Sequence, residues 1–250
     1  MKLQKQNGNM YDWVTHMLAH IGGECPHKCV YCYENRDDGK GGRFRDPKLC
    51  GPLTLDEDSF GVNFGQGKTI FIDHRNDLWC KDVPSAWISR VLSHCETFPN
   101  NRYLFQTKNP DRYLEFADRL AQLSCMVGTT IETNRIMPTE FSTAPWPPVR
   151  AEAMTRLRER YPDMTLFVTV EPIVNFDVQD LLNMFEMIRP NFCNVGADSK
   201  RHSLPEPSKE DVEALLFGIT ALGIEIREKH NLTRLLGYDA TAPDAPWRKL

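Results

Sequence analysis

Residues 22–34 read GGECPHKCVYCYE. Cys25, Cys29 and Cys32 stand in a C-x3-C-x2-C spacing, in a loop just after the first predicted strand. Three thiolates this close can bind three irons of a cubane, a site that a fourth cysteine normally completes. None follows within the motif, so one iron would be left open to another ligand. A closed tetrahedral zinc site is the competing reading, with His27 or Cys50 as fourth ligand. The paired C-x2-C knuckles usual for such zinc sites are absent. Three unrelated buried cysteines fit poorly in a polar loop that carries glycine and proline. The other five of the eight cysteines are scattered singly, which argues against a disulfide framework and for a reducing compartment. Of these, Cys95, Cys125 and Cys193 fall where a helix or strand would bury a small apolar group.

Outward from this loop, apolar runs of strand length alternate with helical patterns. Strands are predicted over 13–21, 69–73, 103–107, 126–131, 166–170, 192–195 and 224–227. Amphipathic helices are predicted over 85–97, 109–123, 149–161, 178–188 and 209–222. Asn109 and Pro110 suit a helix start, and Gly223 a helix end. Repeated strand–helix alternation implies a parallel sheet covered by helices, either doubly wound or closed as a barrel. Both arrangements gather ligands at the carboxyl ends of the strands. The polar residues fall there: Asp73 to Asp77, Gln106 to Lys108, Glu132 to Arg135, Glu171 and Asp198. Residues 34–64 and 139–148 are irregular, and 238–250 reads as a loose tail after a single domain over 1–237.

The bulk composition excludes several classes. Of 250 residues, 41% are hydrophobic and 26% charged, an ordinary globular balance. No apolar run approaches the roughly 20 residues of a membrane span. The N-terminus lacks the apolar stretch of a signal peptide, so the cytoplasm is the expected location and no membrane partner is expected. The net charge of −4 gives no support to tight duplex binding, which usually needs a basic face. The basic stretch 150–160 is read as a solvated helix surface.

CPHKCVYC, with aromatic Tyr31 just before the last cysteine, resembles the cluster motif of radical S-adenosylmethionine (SAM) enzymes. A closer resemblance, over about residues 13–232, is to a phage-associated radical SAM family distantly similar to spore photoproduct lyase. It rests on RNDLW (75–79), FQTKNPDR (105–112), GTTIETN (128–134), VTVEPI (168–173) and NVGADS (194–199). The closing run GIEIREKHNL departs from that family's usual Lys-Gln-Trp-like end at Lys229–His230–Asn231.

The resemblance implies a partial (β/α)6 TIM-like barrel. It implies a [4Fe-4S] cluster on Cys25, Cys29 and Cys32, with SAM on the open iron. Reductive cleavage of SAM to a 5′-deoxyadenosyl radical and hydrogen abstraction from an organic substrate would follow, fed by an external electron donor such as flavodoxin or ferredoxin. Tyr31 would lie near the adenine. In place of the family's Gly-Gly-Glu-like segment that grips the SAM ammonium, this chain has Asp73 to Asp77, where Asp73 or Asp77 would accept from it; Thr130 and Glu132, alternating on one strand face, would reach SAM. Lys108 would neutralise the SAM carboxylate or a substrate phosphate, with Arg135 and Arg150 as further cations of that kind. Glu171 is a candidate substrate ligand. Cys80 is a candidate hydrogen-atom donor, since spore photoproduct lyase uses an extra cysteine in that way. The implied substrate is a nucleotide or nucleic-acid base, as in phage DNA modification, against a peptide or small metabolite as the enzyme alternative. A metal-stabilised nucleic-acid-binding module is the non-enzyme alternative.

Overall fold

The computed structural model describes residues 2–6, 11–32, 34, 36–37, 43–44, 46–199 and 202–249. Its strands are β1 (Gln4–Lys5), β2 (His16–Leu18), β3 (Ile21–Gly22), β4 (Arg36–Asp37), β5 (Arg43–Phe44), β6 (Thr54–Leu55), β7 (Thr69–Ile72), β8 (Arg102–Thr107), β9 (Cys125–Thr130), β10 (Thr165–Val170), β11 (Phe192–Val195) and β12 (Glu225–Glu228). The helices are α1 (Ser85–Glu96), α2 (Ala117–Gln122), α3 (Pro147–Arg160), α4 (Val178–Ile188), α5 (Lys209–Ala221) and α6 (Thr233–Leu236). The main sheet runs β1-β2-β7-β8-β9-β10-β11-β12. Only β1 is antiparallel to its neighbour; all other pairs in this sheet are parallel. Every predicted strand is present, although 13–21 shortens to β2 and a separate β3 that pairs with β6.

Strands β7 to β11 have two apolar faces with different partners. Ile70 and Ile72, Tyr103 and Phe105, Cys125 and Val127, and Leu166, Val168 and Val170 pack outward under the helices. The residues between them, Phe71, Leu104, Met126, Phe167 and Phe192, form a second cluster inside the curve of the sheet. That is the period-two alternation of a strand buried on both faces, and it makes the sheet a partial barrel. Gly128 lies opposite Phe167 in the register, and a Cβ there would collide with the Phe167 ring.

The N-terminal segment packs onto the inner face of the sheet. Trp13 meets Phe192 edge-on at 5.5 Å, while Tyr11 stacks on Trp13 at 5.2 Å and on Phe71 at 6.4 Å. At the other end of the chain, the expected loose tail is packed. Trp247 is 1% exposed and donates its indole N–H to Glu228 at 2.7 Å. Two helical expectations also change in detail. Residues 109–123 divide into a 3-10 turn, Pro110–Phe116, and α2; Asn109 spends its amide on the Trp79 carbonyl, at 2.9 Å, rather than as a cap. In α3 the basic stretch is not simply solvated: Arg150 and Arg158 are buried, and Arg156 and Arg160 pair with Asp111 and Asp118.

Candidate active site

The cysteine loop sits at the carboxyl edge of the sheet, gripped from three directions. Gly23 opens it at φ +82°, where a Cβ would strike the Pro52 carbonyl. Residues after β7 hold it in succession. Arg75 forms a fork on Glu34 and reaches Asp46. Asn76 donates to the Gly23 carbonyl at 3.0 Å. Asp77 binds the His27 ring at 2.8 Å. The irregular segment 139–148 closes the third side: Val30 and Thr143 exchange backbone bonds with Phe141 and His27, and Ser142 Oγ lies 3.1 Å from Cys29 Sγ.

Asp77 is a junction for several elements. Its buried carboxylate accepts from Thr107 Oγ1 at 2.7 Å, the Lys108 amide at 2.9 Å and the Trp79 amide at 2.9 Å, besides His27. Burial pushes its pKa up, but His27 and these donors more than offset that and leave it below the usual carboxylate range. Asp73 has a comparable role one turn earlier. In the left-handed region at φ +56°, it accepts from the His20 and Ile21 amides at 2.6 and 2.8 Å. Its oxygens thus anchor the chain entering the cysteine loop, and the residue also lines the cavity described next.

The loop faces a cavity of about 740 Å³, within the usual range for a ligand site. Cys25, Cys29, Cys32, Tyr31, Asp73, Lys108, Thr130 and Glu171 all line it. Glu132 stands just behind the wall, fully buried. It accepts from Tyr31 Oη at 2.6 Å, Arg150 Nη1 at 2.7 Å and Lys108 Nζ at 3.1 Å. Burial alone would raise the Glu132 pKa, yet Arg150 and Lys108 hold it well below the carboxylate range. Burial likewise opposes the Lys108 cation, and Glu132 keeps it above its ordinary value. Burial and the Glu132 charge push the Tyr31 phenol up, so it stays a donor. Glu132 therefore positions Tyr31 and Lys108 instead of reaching the cavity itself. One carboxylate serves two cations, which leaves the network with a positive charge beside Cys29.

The floor is a hydrogen-bonded array. Tyr11 Oη donates to Gln106 at 2.8 Å and lies 2.9 Å from Thr169 Oγ1. Gln106 donates to Thr130 at 3.2 Å, and Asn194 to Thr169 at 3.1 Å. Glu171 pairs with Lys229 at the far rim, at 2.7 Å. Tyr11 and Lys229 were not singled out as site residues in the sequence: Tyr11 precedes the first strand, and β12 has charged residues where inner apolar ones would mark its face.

Two expected site residues stand apart. Cys80 is 1% exposed within the outer apolar core, and burial, aided by Asp77, pushes its thiol up to about 11. It does not line the cavity. Arg135 is exposed and forked on Asp177 at 2.7 Å; Asp177 takes the charge that was assigned to the cofactor.

The donor set fits an iron–sulfur cluster. Cys25, Cys29 and Cys32 stand on one loop with no disulfide among them, soft ligands of the kind that select such clusters or zinc. Burial and the nearby Asp77 push the Cys25 thiol far up, so a cationic partner is needed for the thiolate. His27 Nε2 is bound to Asp77, and Cys50 is exposed. Among the described residues, no three His, Cys, Asp or Glu side chains close on a single-ion position.

The parallel partial-barrel fold of this chain is shared with solved structures. A cysteine-to-serine mutant of spore photoproduct lyase is 13% identical, with 90% of this chain and 81% of that chain covered at a TM-score of 0.57. Spore photoproduct lyase complexed with dinucleoside spore photoproduct is 12% identical, covered to the same 90% and 81%, also at 0.57. Native anSMEcpe with bound AdoMet is 11% identical, covered to 90% and 68%, at 0.50. No family model and no curated protein matches the chain.

Proposed function

We propose that this chain is a radical SAM enzyme acting on a nucleotide or nucleic-acid base. The observation that carries this reading is the convergence of Cys25, Cys29, Cys32, Tyr31 and Lys108 on one cavity at the carboxyl edge of a parallel partial barrel. Cys25, Cys29 and Cys32 would hold a [4Fe-4S] cluster. When bound, the cluster and SAM supply reductive cleavage to a 5′-deoxyadenosyl radical and hydrogen abstraction. The protein's own part is binding, orientation and exclusion of water. Lys108 offers the SAM carboxylate a fixed cation. Tyr31, locked by Glu132, presents a rigid ring face towards the adenine. Thr130 and Gln106 give the floor hydroxyl and amide groups, and Glu171 orients the substrate.

The substrate class is supported by the fold shared with spore photoproduct lyase, whose solved complex holds a dinucleoside photoproduct. The net charge of −4 and the acid-paired arginines of α3 favour a nucleotide or an extruded base over tight duplex binding. Modification of phage DNA, a soluble electron donor such as flavodoxin or ferredoxin, and a cytoplasmic location belong to the same reading. No helix among the described residues is long and apolar enough to cross a membrane. Anaerobic incubation of the reduced, SAM-loaded protein with nucleotides and DNA, read by mass spectrometry, tests it. A changed base is expected; turnover of peptides with none of nucleotides or DNA would overturn the substrate assignment.

A further inference from the structure

We propose that Glu171 and Lys229 form the subsite that reads the substrate's polar edge. We infer that this edge is uncharged and planar, offering a hydrogen-bond acceptor and a donor side by side. This rests on the reading of the cavity as a radical SAM site and assigns its far rim.

The pair is held in place. Glu171 continues the inner face of β10 through Phe167 and Thr169, and Lys229 continues that of β12 through Arg227. Their charged atoms meet at 2.7 Å, with side chains 18% and 15% exposed. Both line the cavity. Gly196, at the end of β11, leaves room for Glu171: a Cβ there would stand 3.0 Å from its carboxyl carbon. Next to it, the Asn231 amide clamps the Ala197 backbone from both sides, donating at 2.6 Å and accepting at 3.2 Å. The Lys229 ammonium lies 5.1 Å from the centre of the Tyr11 ring. Tyr11 and Phe71, nearly parallel at 21°, both contribute to the cavity wall.

Charge balance then selects the ligand. A phosphate drawn to Lys229 would displace the Glu171 carboxylate, and a simple cation drawn to Glu171 would displace Lys229. Either breaks the 2.7 Å pair and parts one charge from the other at a largely buried position, which is costly. A neutral edge with its acceptor towards Lys229 and its donor towards Glu171 keeps the charges matched and adds two charge-assisted bonds. The Tyr11–Phe71 wall favours a flat ring on such an edge, the combination by which unstacked bases are recognised. A site built to bond that edge rejects analogues lacking it.

The test is binding to the cluster-loaded protein without reductant, by calorimetry, with uridine, guanosine, inorganic phosphate and glycine as probes. At least one nucleoside is expected to bind, while phosphate and glycine do not. K229Q and E171Q should each weaken that binding about 10-fold or more, and the double variant should be little worse than the weaker single one, because the two act as a unit. Iron content and melting temperature show that each variant is loaded and folded; should K229Q not fold, K229M takes its place. Unchanged nucleoside affinity in folded, loaded variants would overturn the proposal, as would binding of glycine or phosphate in place of nucleosides. Substrate-free release of 5′-deoxyadenosine by the unaltered protein separates the two levels. Release without nucleoside binding sinks the subsite alone. Nucleoside binding through the pair without release upholds the subsite and sinks the radical reading.

Discussion

Glu132 illustrates how one buried carboxylate can organise a site without touching its contents. Removing its charge leaves Arg150, 1% exposed, and Lys108 facing each other without an anion. Breaking a buried pair from one side costs about 3–5 kcal/mol, so Glu132→Gln should lower unfolding stability by that order and weaken SAM binding together. A denaturation curve and a SAM titration check both; loss of SAM binding with unchanged stability would mean that Glu132 contacts SAM directly. His74, on the cavity wall, gives a second test. Burial pushes its pKa down to about 4, below the roughly 6.5 of a free histidine. Between those values the unfolded chain binds the proton and the folded chain does not, so stability must rise with pH across that window. His74→Gln should flatten this slope in unfolding curves measured from pH 4 to 7. The depressed carboxylates Asp77 and Glu132 act in the same sense lower down, stabilising above the ordinary carboxylate range and losing that contribution as pH falls through it.

At the level of elements, the site follows from strand parity. Asp73, Lys108, Glu132 and Glu171 lie two residues beyond Phe71, Gln106, Thr130 and Thr169 on the inner faces of β7 to β10. Apolar layer, polar layer and charged rim thus succeed one another along β8 to β10, while in β7 Phe71 leads straight to Asp73. This much was legible in the sequence, because the inner positions of these strands are marked by apolar residues. Arg150 was read as a cation for a ligand, but its pairing with Glu132 was hidden because α3 carries arginines on both its buried and exposed faces. Lys229 was hidden because the inner residues of β12, Glu225 and Arg227, are charged. Cys80 misled by proximity: it follows the rim in sequence, but the chain there turns back into the outer core. The latch role of Asp77 shows only when its four partners are placed. Losing a partner that orients a ligand loop typically costs about 10- to 100-fold in metal affinity, so Asp77→Ala should load iron poorly under limiting conditions while the sheet persists by circular dichroism. Gly128→Ala tests the strands instead. Overpacking against Phe167 should cost about 1–3 kcal/mol, with β9 still formed.

Across the whole molecule, the two chain ends pack on the partial barrel. Residues 11–14 lie on the inner face of its sheet, and the segment after Tyr238 packs on β12 and α5. Trp247→Ala should therefore cost about 3–5 kcal/mol, as for other buried tryptophans, whereas a loose tail would show no change in melting temperature. The central claim concerns the chemistry this barrel houses, and one measurement addresses it directly. The protein is reconstituted anaerobically with iron and sulfide, reduced, supplied with SAM and assayed for 5′-deoxyadenosine, with Cys29→Ala alongside. The account predicts about four irons per chain, slow release of 5′-deoxyadenosine without any substrate, and loss of both in Cys29→Ala. A single tightly bound zinc, or an intact reduced cluster with SAM present and no 5′-deoxyadenosine, would contradict it.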